Sequence, residues 1–378
     1  MSKSRTFRAP GRVNLIGEHT DYNLGFVLPI ALDRATYIET TPSGDDRLHV
    51  WSEHHREERS WPAGQTASLK PSRHWSDYVA GVARELALAG VAIKPLRLSI
   101  RSDVPEGAGL SSSAALEVST AFALLQGAAF DRFEIAKLCQ RAESEFVGMP
   151  CGIMDQFVSV FGRAGAAIRI DCRSLEYQTV ELPRNVEIVA VNSMVKHELG
   201  ASAYRTRVEE CAIAVECIRQ RFPEVRSLRD ATPEHLEKTQ MPMLAMRRAR
   251  HIVSENRRVE FFVTAAARGE LHRMGDLFIE SHRSMQHDYE ITCDEVDFLV
   301  DAAAGTHGCY GARMTGGGFG GCTVNLIQPG SFDRFASEIR ARYRERFGID
   351  PAIFPCVPAE GASEIGVPES GGDPVSKI

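Results

Sequence analysis

The stretch GRVNLIGEHTDYN, residues 11–23, sets Glu18, His19 and Asp21 directly behind an apolar run over 13–16, a few residues after Arg12. Three ligands within four residues on an irregular turn make poor metal geometry unless a fourth donor arrives from elsewhere. Two short acids and an imidazole suit a polyhydroxylated ligand better, because each carboxylate accepts from neighbouring hydroxyls. A solvated turn is the plain alternative.

A second candidate is VPEGAGLSSSAALEV, residues 104–118. Glycines allow close backbone approach, serines add hydroxyl donors, and a helix N-terminus follows with free N–H groups and a positive dipole end. Phosphate binding and a merely serine-capped helix are both open. No lysine lies between Val104 and Ser119, so the loop is not of the G-x-x-x-x-G-K-[ST] type.

GGGFGG satisfies G-x-G-x-x-G at Gly316, Gly318 and Gly321. It runs into an alternating strand, CTVNLI, rather than opening a helix, which refuses a dinucleotide reading. A close wall beside a ligand and a tight hairpin fit equally. Asp155 in CGIMDQF sits among apolar residues, as a general base balanced between desolvation and a nearby cation would, or as a structural ion pair or cap. Glu143 in RAESEFVG reads on its own as an exposed helix residue. No G-x-S-x-G or H-E-x-x-H occurs, so hydrolase templates find no foothold. Together these segments point to a small-molecule kinase.

Positioning them takes about two domains, since 378 residues exceed one core. Strands are predicted over 13–16, 35–41, 47–52 and 96–104, and helices over 75–90, from 114 after the serine loop, and over 130–148 ending on Gly148. Most of 201–304 reads as helix interrupted at Pro223, Pro233 and Pro242. The first domain is placed at 1–178 and the second at 179–362. The remaining 363–378, within a Gly-, Pro- and Ser-rich tail, is expected to be disordered.

Apolar content of 43% and charged content of 25% are those of a compact globular chain. A net charge of -6 offers no basic surface for nucleic acid. Arg247, Arg248 and Arg250 read as a helix surface. Nine scattered cysteines, with no paired or zinc-type spacing, fit reduced thiols in a cytoplasmic compartment. There is no signal-type h-region and no run of about 18 apolar residues.

These segments resemble the galactokinase family of the GHMP kinase superfamily: residues 11–23 its sugar signature, 104–118 its nucleotide loop, 151–157 its base segment and 311–321 its third motif. Weaker likeness continues in NSMVKHELGASAYRTR, RRARHIVSENRRV and SHRSMQHDYEITCDEVD, so it spans about 8–362. The resemblance implies an α+β, two-domain GHMP kinase fold: N-terminal ribosomal S5 domain 2-like, C-terminal ferredoxin-like, active site between. It implies Asp155 as catalytic base and Arg12 as transition-state stabiliser. Glu18, His19, Thr20, Asp21, Gly152 and Tyr204 correspond to sugar-holding positions. Gly107, Ala108, Gly109, Leu110, Ser111, Ser112 and Ser113 correspond to the ATP loop, Ser113 with Glu143 to a Mg²⁺ site, and Trp75 with Tyr78 to the adenine walls.

The implied reaction is ATP-dependent phosphorylation of galactose at C1 in galactose catabolism, with small-molecule substrates and no nucleic acid, membrane or obligate protein partner. A kinase for N-acetylgalactosamine or L-arabinose is the nearest rival, and a non-catalytic galactose and ATP sensor a remote one, since Ser113, Glu143 and Asp155 are all present. The segment before Arg8 is shorter and the tail beyond Ala362 longer than the resemblance calls for. Arg205, where the family often has a smaller or neutral residue, is expected to alter the sugar-side wall.

Overall fold

The computed structural model describes residues 4–196 and 200–366, without the side chains of 196–201. Its strands are β1 (Arg5–Asn14), β2 (Phe26–Val27), β3 (Pro29–Pro42), β4 (Arg47–Ser52), β5 (Glu57–Pro62), β6 (Leu96–Ser102), β7 (Ala166–Asp171), β8 (Tyr177–Glu181), β9 (Glu187–Lys196), β10 (Cys309–Thr315), β11 (Gly320–Ile327), β12 (Ala352–Pro355) and β13 (Ser363–Glu364). The helices are α1 (Asp77–Leu88), α2 (Ser112–Leu125), α3 (Arg132–Arg141), α4 (Met154–Phe161), α5 (Gly200–Arg219), α6 (Pro233–Glu237), α7 (Met243–Arg268), α8 (Leu271–Ser284), α9 (Asp294–Ala304) and α10 (Phe332–Phe347).

The first half is a six-stranded sheet in the order β13-β1-β3-β6-β4-β5, antiparallel except for β4 beside β6. In β6 the alternation seen in the sequence turns Leu96, Leu98 and Ile100 inward. They meet the apolar faces of α1 to α4 in one core. The expected strand over 13–16 is the end of a longer one: β1 begins at Arg5 and stops at Asn14, while Leu15 and Ile16 still exchange backbone hydrogen bonds with Leu28. The boundary expected at 178 falls inside β8, which pairs with β7 and through it with β2.

The second half is an antiparallel sheet in the order β10-β11-β9-β12. The helical stretch is interrupted around Pro223, Pro233 and Pro242 as expected, with Pro233 opening α6 and Pro242 preceding α7, as suits a residue without an N–H to satisfy. The strand expected to alternate, β11, is buried at every position. It lies in the middle of the molecule, where Cys322, Val324 and Leu326 share a core with Val13, Leu15 and Ile16.

Three further expectations are corrected. Arg248 is not at the surface: its guanidinium is buried and held by Glu210 (2.6 Å), Glu290 (2.8 Å) and the Asp288 carbonyl (2.6 Å). Ser363 and Glu364, expected to be disordered, form β13 against Arg8 and Phe7, and Arg5 grips the Glu364 carboxylate at 2.7 and 2.6 Å. Residues 367–378 of that tail lie outside the described residues. Finally, the helix expected over 130–148 is α3 followed by a wider π turn, Ala142–Val147, closed by Gly148.

Candidate active site

A cavity of about 730 Å³ lies between the halves, with Arg12 and Asp155 on its wall. Arg12 is the third-last residue of β1, just past a register shift between Pro10 and Arg12. Asp155 sits in the first turn of α4. The guanidinium meets the carboxylate as a fork, Nε to Oδ1 at 2.8 Å and Nη2 to Oδ2 at 2.9 Å, and Nη1 donates to the Gly109 carbonyl at 2.6 Å. Ser111, at the start of α2, donates its hydroxyl to Asp155 Oδ2. Burial works against the charge on Arg12, but Asp155 and Glu18 outweigh it and hold its pKa above the ordinary value. The structure therefore brings together two residues 143 positions apart in a charge-assisted pair.

Around that pair, Glu18, His19, Asp21, Gly152 and Tyr204 line the same cavity, as do Gly107, Gly109, Ser111, Ser112 and Ser113. Desolvation and the neighbouring Asp155 carboxylate push Asp21 up to about 7. A Cβ on Gly152 would lie 1.9 Å from Asp21 Oδ2, so only glycine lets these two segments meet. We expect Gly152→Ala to displace Asp21 and weaken binding of a polyhydroxylated ligand in this cavity more than ten-fold, on the scale of a lost charged hydrogen bond. Isothermal titration with such a ligand checks this, and unchanged affinity would contradict the placement.

Two expectations change in character. His19 takes a left-handed backbone (φ 60°) and both its ring nitrogens already face protein: Nδ1 the Tyr22 hydroxyl at 2.8 Å, Nε2 the Gly317 carbonyl at 3.2 Å. Burial and the nearby His251 bring its pKa down to about 3, so the ring is neutral. Thr20 is fully buried and turned away from the cavity; its hydroxyl lies 2.9 Å from the Gly17 carbonyl and 2.6 Å from that of Phe26, fixing the turn instead of meeting a ligand. Ala108 and Leu110 likewise pack their side chains into the core below the loop and offer only backbone. Arg205 is exposed, and the cavity wall is made by Tyr204 beside it.

A second cavity of about 510 Å³ adjoins the first, sharing Gly107, Ser112 and Ser113 with it. Trp75 and Tyr78 line it, and Trp75 stacks on His55 with ring centroids 5.0 Å apart and planes at 12°. Ser113 lines both cavities, and its hydroxyl favours the charged form of the Glu143 carboxyl. Glu143 is buried, against its reading as an exposed residue, and Ala142 and Phe146 are buried with it, continuing the inward face of Ile135, Ala136 and Cys139 on α3. Desolvation and Asp155 lift its carboxyl to about 7. Across the cleft, the hairpin between β10 and β11 forms the opposite wall with Gly316 to Gly321. A Cβ on Gly316, whose φ is +93°, would come within 3.0 Å of the Gly109 carbonyl, so the two glycine loops touch back to back.

The residues that hold the site from behind carried little signal. Arg313, fully buried, donates to the Asn14 and Leu15 carbonyls at 3.1 and 2.7 Å and lies 3.4 Å from Glu18 Oε1. Glu18 Oε1 also accepts from the Gly316 amide at 3.0 Å. Glu255, also fully buried, accepts from the Gly17 amide and from Arg258 Nε and is held well below the usual carboxylate range; burial opposes this, but Arg258, His251 and Arg313 prevail. Gln156, next to Asp155, donates to Glu143 at 2.6 Å and to Glu117 at 2.9 Å. Only an ionisable residue inside an apolar segment could have flagged Arg313 and Glu117.

Residues 2–42 match the galactokinase galactose-binding signature, 77–163 the GHMP kinases N-terminal domain and 262–345 the GHMP kinases C-terminal domain. A galactokinase from Roseiflexus sp. is 43% identical over 95% of this chain and 92% of its own. One from Thermotoga maritima is 40% identical over 95% and 99%. The chain belongs to the galactokinase family. Its fold is accordingly that of the GHMP kinases, and the order β10-β11-β9-β12 is the ferredoxin-like half. The Lactococcus lactis galactokinase crystallised with galactose superposes with a TM-score of 0.91 at 32% identity, covering 96% of this chain and 95% of that one. The mevalonate kinase of Methanococcus jannaschii, at 18% identity and a TM-score of 0.66, shares the fold. The enzyme is thus an ATP-dependent sugar kinase, and among its described residues no helix is long and apolar enough to cross a membrane.

Proposed function

We propose that this enzyme transfers the γ-phosphoryl group of MgATP to the C1 hydroxyl of α-D-galactose, giving galactose 1-phosphate and ADP. The observation that carries this reading is the Arg12–Asp155 fork, set between a hydroxyl-reading rim (Glu18, Asp21, Tyr204) and a loop of amides and serines at a helix N-terminus. Phosphoryl transfer leaves little covalent work to protein; alignment and neutralisation of spread charge dominate. Asp155 takes the C1 hydroxyl proton on a carboxylate that Arg12 and Ser111 hold in place. Arg12 also faces charge on the moving group. The loop from Gly107 to Ser113 receives the phosphates and the cavity beside Trp75 and Tyr78 the nucleoside.

Ser113 and Glu143 fit a Mg²⁺ ion. A hydroxyl on the wall of both cavities and a buried acid that it influences supply hard oxygen donors, and one or two protein oxygens plus phosphates are what this ion takes. When bound, it neutralises charge on the phosphates. Galactose and ATP are the small-molecule partners in this reading, and nine free cysteines suit work in the reducing cytoplasm.

Release of ADP measured over a sugar panel tests the assignment, with galactose expected to be turned over best. Higher kcat/KM for N-acetylgalactosamine or L-arabinose would replace the substrate, and no ADP with any sugar would leave only a sensor. A pH profile supplies a further test. The Asp21 pKa is raised to about 7, and the ionised form is the better acceptor for sugar hydroxyls. At saturating ATP and Mg²⁺, kcat/KM for galactose should therefore climb with pH and level off above about 7. The Asp21→Asn protein should lose that inflection along with sugar affinity. A flat profile in the parent protein would contradict the role.

A further inference from the structure

The hydrogen bonds behind His19 have a forced direction. Gly317 presents a carbonyl, which only accepts, so the His19 nitrogen facing it at 3.2 Å, Nε2, carries the hydrogen. A neutral ring then has a bare Nδ1, and the 2.8 Å contact there is donated by the Tyr22 hydroxyl. With its proton spent, Tyr22 accepts at 2.7 Å from Tyr289, and Tyr289 in turn accepts at 3.1 Å from the Cys211 thiol. Cys211 Sγ accepts from Asn23 Nδ2 at 3.7 Å. One carbonyl on the glycine hairpin thus orders every proton in a series reaching from β10–β11 to the turn of residues 21–23, α5 and the π turn Met285–Tyr289.

Packing supports the same arrangement. Tyr289 is fully buried and packs against His251 with centroids 4.4 Å apart and the rings tilted by 39°. His251 shows the same pattern: Nε2 donates to the Glu18 carbonyl at 3.1 Å and Nδ1 accepts from Ser284. Tyr204 of the cavity wall lies with its ring 5.0 Å from His19 and 5.4 Å from Tyr22.

We propose that Tyr22, Tyr289 and Cys211 are positioning residues which, together with the Gly317 carbonyl, hold His19 as its Nε2–H tautomer and so fasten the glycine hairpin at Gly317 to the sugar-reading rim. His19 then works as a latch between the halves, not as a hydrogen-bonding group for the sugar. The effect on catalysis rests on the reading of this cavity as the galactose site; the tautomer does not.

The test uses the full-length protein labelled with ¹⁵N at histidine. The parent His19 should show a protonated Nε2 and a bare Nδ1, unchanged from pH 5 to 8. In Tyr22→Phe the tautomers should mix, and the galactose KM should rise roughly ten-fold with kcat and the ATP KM little changed, the cost of leaving one buried nitrogen unpaired. Tyr289→Phe should give a smaller shift, and the double variant should cost no more than Tyr22→Phe, since both act through one bond. If Tyr22→Phe does not fold, the tautomer in Tyr289→Phe decides. An Nδ1–H parent ring, an unaltered tautomer in the variants, or fully additive effects would overturn the proposal. A confirmed tautomer with no change in galactose KM would count against the latch role while leaving the tautomer standing, and a sugar panel lacking galactose turnover would fault the site reading separately.

Discussion

Asp155→Asn is expected to lose about 10² to 10⁴ in turnover, the usual cost of removing a positioned base, while still binding galactose. That loss corresponds to roughly 3 to 5 kcal/mol of barrier. The amide keeps the size of the carboxylate, so Ser111 and the Gly109 carbonyl retain their places. What disappears is the acceptor for the hydroxyl proton and the charge opposite Arg12. Single-turnover kinetics with calorimetry separates chemistry from binding. A variant with near-parental turnover would remove Asp155 from proton transfer, and one that no longer binds galactose would show that the fork chiefly shapes the pocket.

Arg313→Met is expected to act on stability and sugar affinity together. The guanidinium is fully buried beside Glu18 and 4.0 Å from Glu255, and it ties down the carbonyls of Asn14 and Leu15. Removing one partner from a buried charge group costs about 3 to 5 kcal/mol, because the remaining charges are left uncompensated. Arg258 still holds Glu255, so Glu18 bears most of the loss. Denaturant unfolding should show a clearly lower midpoint, and galactose titration a weaker affinity with ATP binding little altered. A protein as stable as the parent would mean that the Glu18 carboxylate does not depend on Arg313.

Much of this was legible in the residues themselves. The period-two pattern of β6 and the glycine at the end of the π turn needed only local physics. The sugar rim, the serine loop and Asp155 stood out because polar groups were placed against apolar runs. What stayed hidden depends on partners far along the chain. Arg248 looked like surface until Glu210 and Glu290 met it. Glu143 looked exposed because its segment is charged, and the Gln156 amide that meets it comes from another helix. Thr20 resembled a ligand contact by position, yet its hydroxyl was claimed by two backbone carbonyls.

The pairing of β13 with β1 bears on how the protein is made. The strand that carries Arg12 has β3 on one side early in synthesis, but its other edge at Phe7 and Arg8 waits for residues near 364 to leave the ribosome. Such distant contacts are slow to form and leave an open edge in the meantime. Completion of the sheet whose strand carries Arg12 is therefore a late event in the life of the nascent polypeptide.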